Sequence, residues 1–239
     1  MKTDRTTMRW SFALLAAALV FAGVPAWAQQ QRVKPGINDT WKSPDVAPLI
    51  ERLEVESREI YRYRKELAAL VAPRPGSAVA DVGAGSGFMV EEFARLVGDK
   101  GRVFAVDINP QMMEHVARRA KAQGLTNVAT VVNREDSVDL PPSSADLIFI
   151  CDTYHHFEYP KKMLQTIHRA LRPGGQLVIV EFKRVPGESA DWVMEHVRGS
   201  QEEFVREITE AGFEFVTVHD APFLRENYIA RFRKAARPQ

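Results

Sequence analysis

Short apolar runs alternate with amphipathic segments through most of the chain. Five runs have the composition of buried strands, at residues 78–82, 103–106, 128–132, 147–151 and 177–182. Segments with apolar residues at helical spacing lie between several of these runs, at residues 89–97, 112–123 and 161–171. Such alternation predicts an α/β fold with a doubly wound, mostly parallel sheet and helices on both faces.

The pattern changes after residue 200. A helical stretch at residues 201–211 precedes two strands, at residues 214–218 and 228–232, and the connection between these strands contains no helix. Parallel neighbours need a long crossover connection, whereas antiparallel neighbours can be joined by a short one. The sequence therefore predicts an antiparallel hairpin at the C-terminal end of the sheet.

The first 28 residues have a composition of their own. A basic start precedes an apolar run at residues 12–24, and the small-x-small sequence Ala26-Trp27-Ala28 follows. These parts are typical of a secretory signal peptide (residues 1–28) cleaved after Ala28. The run is shorter than the roughly 20 residues of a membrane-spanning helix. We expect an exported chain, periplasmic or secreted, with no stable membrane span after cleavage, whereas an uncleaved chain would be cytoplasmic or membrane-tethered.

Two segments separate this region from the first strand. Residues 29–48 are polar, with isolated prolines and a glycine, which predicts an exposed linker. Residues 49–71 carry apolar positions at helical spacing and end before Pro73, so we expect one long amphipathic helix, or two. The folded domain then covers residues 49–239.

The composition narrows the choice of partner. The chain has 32 Lys and Arg against 31 Asp and Glu, so its net charge gives no attraction to nucleic acid or to an anionic membrane. The single cysteine, Cys151, cannot form an internal disulfide. We therefore expect a small-molecule partner and no nucleic acid, and the sequence indicates no particular oligomeric state.

The first strand runs into a glycine-rich turn, Asp81-Val82-Gly83-Ala84-Gly85-Ser86-Gly87, and a helix begins just beyond it. Glycines let the backbone turn sharply and approach a ligand closely, although an ordinary strand-to-helix turn also uses them. The spacing here is G-x-G-x-G, whereas the nicotinamide fingerprint is G-x-G-x-x-G. The turn thus disfavours a nicotinamide oxidoreductase.

Two carboxylates follow the next two strands. Asp107 closes the second strand, where a carboxylate can accept hydrogen bonds from a ribose diol. Asp136 follows the third strand, where a carboxylate can accept a hydrogen bond from an adenine amino group. The turn and both carboxylates together predict a cofactor that contains adenosine.

With these three elements the chain resembles the class I S-adenosylmethionine-dependent methyltransferase superfamily, and most closely the group of the ubiquinone and menaquinone biosynthesis methyltransferases. The likeness also includes the turn Leu171-Arg172-Pro173-Gly174-Gly175. It implies S-adenosyl-L-methionine as the cofactor, a Rossmann-like sheet of order 3-2-1-4-5-7-6 and an N-terminal lid helix at residues 49–71. The implied cofactor contacts are Asp81, Gly83, Gly85 and Gly87 with the methionine moiety, Asp107 with the ribose and Asp136 with the adenine.

Ionisable side chains are dense directly after the fourth strand, from Asp152 to Tyr159. Ligands of open α/β sheets bind at the carboxyl ends of the strands, so these side chains are expected beside the cofactor's methyl group. Methyl transfer needs a positioned nucleophile and a group that takes its proton. His155 or His156 is the candidate base, with Asp152 as a further catalytic candidate; the alternative for the histidines is packing against the next helix.

A metal site is a weaker alternative for the same stretch. His155, His156, Glu158 and Glu181 offer nitrogen and oxygen ligands. Adjacent histidines, however, do not point to one position as an i, i+4 pair on a helix does. We therefore expect no metal.

Two functions remain open from the sequence. The first is methyl transfer to a small-molecule acceptor. The second is an exported S-adenosylmethionine-binding module, or a catalytically inactive one, which an export signal favours because the cofactor is made in the cytoplasm. The intact glycines and carboxylates favour the enzyme.

Overall fold

The computed structural model describes residues 32–235, so the predicted signal peptide lies outside the described residues. Seven strands form one sheet in the order β3-β2-β1-β4-β5-β7-β6. They are β1 (Ala78–Val82), β2 (Arg102–Asp107), β3 (Val128–Val132), β4 (Ala145–Cys151), β5 (Leu171–Phe182), β6 (Phe213–His219) and β7 (Asn227–Lys234). Strands β1 to β5 pair in parallel, and β7 pairs antiparallel with β5 and β6. The predicted fold class, strand order and hairpin are confirmed.

Helices cover both faces of the sheet. They are α1 (Ala47–Leu53), α2 (Glu59–Arg62), α3 (Arg64–Val71), α4 (Phe88–Val97), α5 (Pro110–Ala122), α6 (Pro160–Ala170), α7 (Asp191–His196) and α8 (Gln201–Glu210). Alternate residues of β4 enter separate apolar cores, because successive strand side chains point to opposite faces. Ile148 and Ile150 join one core, and Leu147 and Phe149 join the other. Among the described residues, no helix is long and apolar enough to cross a membrane.

The predicted long helix at residues 49–71 is instead three short helices, α1, α2 and α3. The chain leaves the helical conformation between α1 and α2, where Arg58 has extended backbone angles. The Arg58 guanidinium Nη1 donates a hydrogen bond to the Leu53 carbonyl at 3.0 Å, which satisfies a carbonyl near the end of α1. Apolar spacing alone could not show this break, because a side chain from outside the helix compensates it.

The predicted linker is likewise packed onto the domain. Most side chains of residues 32–43, here called the N-terminal strap, are exposed, but Asn38 is buried. The Val33 amide donates to the Glu158 carbonyl at 2.9 Å, and Asn38 Nδ2 donates to the His156 carbonyl at 3.1 Å. Trp41 adds an apolar contact, because it packs against one of the two cores and edge-on to the His156 ring. Most other contacts of the strap are polar, so its composition gave no sign of the packing.

Candidate functional site

A cavity of about 400 Å³ lies at the carboxyl ends of β1, β2 and β4. This is the edge of an open α/β sheet at which ligands bind, and the size falls within the range of small-molecule sites. The loops after these strands form its wall together with the strap and the α1–α2 segment. Predicted residues in the wall are Asp81, Gly83, Gly85, Asp107, Asp152 and His156.

The glycine-rich turn brings backbone into the cavity wall at two positions. Gly83 and Gly85 have φ values of +78° and +51°, in the left-handed region that side chains disfavour. A Cβ atom on Gly83 would lie 2.3 Å from Thr153 Cγ2, so the loop after β4 approaches the turn too closely for any side chain. These two glycines lie where the sequence predicts them.

Gly87 has another role in the structure. It has φ +85° at the start of α4, and a Cβ atom there would lie 2.9 Å from Val116 Cγ2 on α5. It is absent from the cavity wall, in contrast to the predicted contact with the methionine moiety. Its lack of a side chain serves the packing of α4 against α5, a need that the sequence spacing cannot separate from ligand contact.

Two aspartates lie behind the turn, Asp81, which is buried, and Asp107, which is half-buried. Asp107 Oδ2 accepts a hydrogen bond from the Gly85 amide at 3.0 Å, and its Oδ1 accepts one from the Asn109 amide at 2.9 Å. Burial raises the pKa of Asp107, and these amides oppose the rise. Burial, and secondarily the Asp107 charge, raise the pKa of Asp81 to about 8. Asp81 is thus protonated at neutral pH in the free protein.

Asp136 is not brought into the cavity. Its carboxylate is partly exposed and lies 3.4 Å from Lys162 Nζ, in a neighbouring shallow surface depression. The cavity wall contains Asn133 and Glu135 from the same loop instead. A sequence prediction accurate to one or two residues identifies this loop but not which of its side chains points inward.

Asp152 is the most constrained residue of the wall. Its φ of +47° is left-handed, although it is not glycine. Its Oδ2 accepts a hydrogen bond from Arg58 Nη2 at 2.8 Å, and its Oδ1 accepts one from Asn227 Nδ2 at 2.6 Å. Burial raises the pKa of Asp152 to about 6, against the opposing Arg58 charge. Arg58 and Asn227 are site residues that the sequence did not predict.

Glu59 closes the same wall from α2. Its carboxylate accepts hydrogen bonds from three consecutive amides, those of Arg225 at 2.7 Å, Glu226 at 2.8 Å and Asn227 at 2.9 Å. A carboxylate bound by several amides is held strongly in place. The α1–α2 segment is therefore tied to the start of β7, beside the cavity.

His155 and His156 form one short 3-10 turn with Tyr154 after β4. His155 is buried outside the cavity wall, and its Nδ1 lies 2.8 Å from Glu181 Oε1. His156 lies in the wall, and burial, with the charges of its neighbours, lowers its pKa to about 2. Of the two, only His156 borders the cavity, and it is neutral throughout the physiological range. The structure also brings His196 of α7 beside both rings.

Known proteins share this fold. A family described as "Methyltransferase domain" matches residues 80–179. The structure is similar to that of a SAM-dependent methyltransferase from Aquifex aeolicus, with a TM-score of 0.71 and 25% identity over 81% of this chain and 99% of that one. The family match and this structural similarity support assignment to the S-adenosylmethionine-dependent methyltransferase superfamily. The predicted resemblance to this superfamily and the predicted cofactor, S-adenosyl-L-methionine, are confirmed at the level of the superfamily.

Similar curated proteins include ubiquinone/menaquinone biosynthesis C-methyltransferases. That of Hydrogenovibrio crunogenus is 30% identical over 167 residues, which are 69% of this chain and 64% of that protein. That of Shewanella oneidensis is 32% identical over 133 residues, which are 55% of this chain and 53% of that protein. The chain thus spans less than two thirds of the length of either relative.

The residues of the cavity fit S-adenosyl-L-methionine. The methyltransferase family match begins in β1 and includes the glycine-rich turn and Asp107. The turn presents backbone without side chains at Gly83 and Gly85, and Asp107 presents a carboxylate at the end of β2. Asp81 adds a carboxyl group that can balance a bound positive charge. The site thus offers hydrogen-bond acceptors for a ribose and a partner for a cationic methionine group.

Proposed function

We propose that this chain transfers a methyl group from S-adenosyl-L-methionine to a small-molecule acceptor. The observation that carries the proposal is that two sets of residues line different parts of one cavity. The first holds Gly83, Gly85 and Asp107, and the second holds Asp152 and His156. A cofactor and an acceptor in one enclosed space satisfy the proximity requirement of methyl transfer.

The part of the cavity lined by the second set indicates the character of the acceptor. Aromatic side chains from the strap, the loop after β4, β5 and α7 contribute to the cavity lining, and they are Trp41, Phe157, Phe182 and Trp192. Such surfaces favour a flat, largely apolar molecule, whereas single polar groups orient it. We propose an aromatic or conjugated acceptor that carries an ionisable hydroxyl group or a comparable nucleophile.

S-adenosyl-L-methionine supplies an electrophilic methyl group when it is bound. Asp152, with a pKa of about 6, is ionised at neutral pH and takes the proton of the nucleophile. Arg58 and Asn227 hold the two carboxylate oxygens, so that Asp152 keeps its orientation. The aromatic wall excludes water from the reacting atoms.

The functions of the relatives support this proposal without defining the acceptor. They are named as C-methyltransferases of ubiquinone and menaquinone biosynthesis, whose quinone compounds are conjugated rings. The aromatic lining of this cavity accommodates the same chemical class. We infer a ring-bearing acceptor but not a particular quinone.

The proposal is tested with methyl-labelled S-adenosyl-L-methionine and the purified chain from Gln29 onward. A panel of phenols, quinols and aromatic thiols is offered, and both S-adenosylhomocysteine and label in the organic extract are measured. Transfer to a ring-bearing compound, lost in Asp107→Ala, supports the enzyme. Tight cofactor binding without transfer to the panel or to small molecules of a cell extract would favour the binding module, and label in protein or nucleic acid would contradict a small-molecule acceptor.

We further propose that the chain is exported. The basic start, the apolar run and the Ala26-Trp27-Ala28 sequence support export. Export would place the enzyme away from cytoplasmic cofactor synthesis. Its cofactor would then have to be supplied across the membrane.

A further inference from the structure

Three of the six histidines of the chain meet in one cluster. His155 and His156 come from the turn after β4, and His196 is the last residue of α7. One ring nitrogen from each lies within 4.8 Å of the others. The sequence separates His196 from the other two by 40 residues, so only the fold brings the three rings together.

The spacing of two of these nitrogens is compatible with a shared metal ion. His156 Nε2 and His196 Nε2 lie 3.4 Å apart, longer than a normal N–H hydrogen bond. Two imidazole nitrogens bound at 2.0–2.1 Å to one tetrahedral ion would be about 3.3–3.4 Å apart. The observed separation is that of two ligands on a common metal.

The third ring has a second-sphere partner. His155 Nδ1 lies 2.8 Å from Glu181 Oε1, so the carboxylate places the proton on Nδ1 and leaves the Nε2 lone pair free. Glu181 is itself held, because it accepts hydrogen bonds from the amides of His155 at 3.1 Å and Phe182 at 3.0 Å. A carboxylate behind a metal-binding histidine is a common feature of zinc sites.

The charges around the cluster also suit a cation. Glu181 is buried, and its carboxylate supplies a negative charge beside the rings. Two positive charges lie nearby, those of Arg52 and Lys34. The Lys34 Nζ donates to the carbonyls of Glu195 at 2.8 Å and His196 at 2.6 Å. His196 is partly exposed, which gives an ion access from solvent.

We propose that His155, His156 and His196 bind a divalent transition-metal ion, with Glu181 as the second-sphere carboxylate. Three imidazoles suit zinc, and cobalt and nickel are alternatives of the same ligand preference. A three-histidine set leaves a fourth position open, and His156 also belongs to the cavity wall. A role for the ion in polarising an acceptor oxygen rests on the proposed function; metal binding does not.

The test uses the purified chain from Gln29 onward without a polyhistidine tag, stripped with a chelator and titrated with Co²⁺ and then Zn²⁺. We expect one Co²⁺ per chain with the absorption bands of tetrahedral nitrogen coordination, displaced by Zn²⁺. His196→Gln, at a partly exposed position, should weaken binding by at least about 100-fold, and Glu181→Gln by about 10–100-fold. His219→Gln on β6 is the matched control and should leave the affinity unchanged.

Three results would overturn the site. These are no stoichiometric Co²⁺ binding, full affinity in the His196 variant, or equal loss in the His219 variant. Circular dichroism of each variant shows whether it is folded, and if His156→Gln does not fold, the His196 variant still decides. Binding of S-adenosyl-L-methionine is measured on the metal-free chain, so failure of the metal site and failure of the proposed function are separate outcomes.

Discussion

Arg58 Nη2 and Asp152 Oδ2 form a hydrogen-bonded ion pair of 2.8 Å across the cavity wall. The pair joins the break between α1 and α2 to the strained residue after β4. The charge of Arg58 therefore acts on the ionisation of Asp152, while its position holds the α1–α2 segment against the cavity. The ionisation of Asp152 and the closure of the cavity by the α1–α2 segment therefore depend on the same contact.

Removal of this partner should destabilise the fold and disturb Asp152. Arg58→Met leaves a largely buried carboxylate without its cation, and we expect a loss of about 1–3 kcal/mol in the free energy of unfolding, less than for a fully buried pair because Arg58 is partly exposed. Urea unfolding measures it, and Arg62→Met, at an exposed position of α2, is the control. If the double variant Arg58→Met/Asp152→Asn is no more stable than the sum of the single changes predicts, the two residues do not interact energetically.

Loss of the Asp107 carboxylate should weaken cofactor binding. Asp107→Ala is expected to reduce the binding free energy of S-adenosyl-L-methionine by about 1.5–3 kcal/mol, the contribution of a charged hydrogen bond. That is a tenfold loss of affinity or more by calorimetry. Asp99→Ala, at an exposed turn, should bind as the parent does. Unchanged affinity in Asp107→Ala would show that the ribose is held by other groups.

Cofactor binding should release a proton from Asp81. Its pKa is about 8 in the free protein, and a cationic methionine group beside it favours the ionised form. Affinity should therefore rise with pH towards about 8. Calorimetry at pH 7 in two buffers with different ionisation enthalpies measures the release directly. Asp81→Asn should show none, and a buffer-independent enthalpy in the parent would contradict this assignment.

The pH profile of turnover should follow Asp152. If Asp152 takes the proton of the acceptor, turnover rises with pH through about 6 and then levels. Asp152→Asn should lower turnover by about 10²–10⁴ and remove the rise. His156→Gln should keep it, because that ring is neutral across the range. A rise that disappears in His155→Gln or His156→Gln but persists in Asp152→Asn would restore the histidine base that the sequence predicts.

Export can be tested by the N-terminus of the product. Expressed with its full sequence in a bacterial host, the chain should be cut after Ala28 and begin at Gln29. Ala28→Leu, which removes the small residue before the cut, should accumulate uncut chain. A cytoplasmic product that begins at Met1 or Met8 would reverse the localisation.

The parts of the site formed by neighbouring residues could be predicted from the sequence. The glycine-rich turn and Asp107 each follow a strand directly, so a correct strand assignment also places them at the carboxyl edge of the sheet. Gly83, Gly85, Asp107 and Asp152 lie there. Asp136 and Gly87 lie in the predicted loops, but each faces a residue that is distant in sequence. Asp136 lies beside Lys162, and Gly87 packs against Val116.

The residues that the sequence did not identify act over long separations. Arg58 contacts Asp152 from 94 residues away, and Glu59 contacts the amides near Asn227 from more than 160 residues away. An arginine or a glutamate on an amphipathic segment is normally a solvated residue, so its type carries no signal of such a contact. The polar composition of the strap predicted a linker for the same reason, because residue type alone gives no sign of contacts with residues distant in sequence.

The strap also sets an order of assembly. Glu158, which accepts a hydrogen bond from Asn38 of the strap, lies 120 residues further along the chain, so a nascent polypeptide exposes the strap long before this docking surface exists. Closing so long a loop is entropically costly until β4 and the turn after it have formed. Under the proposed cleavage after Ala28, the strap would still lack its partners while the peptidase acts. Maturation of the N-terminus and completion of the cavity wall would then be coupled in time, with processing first.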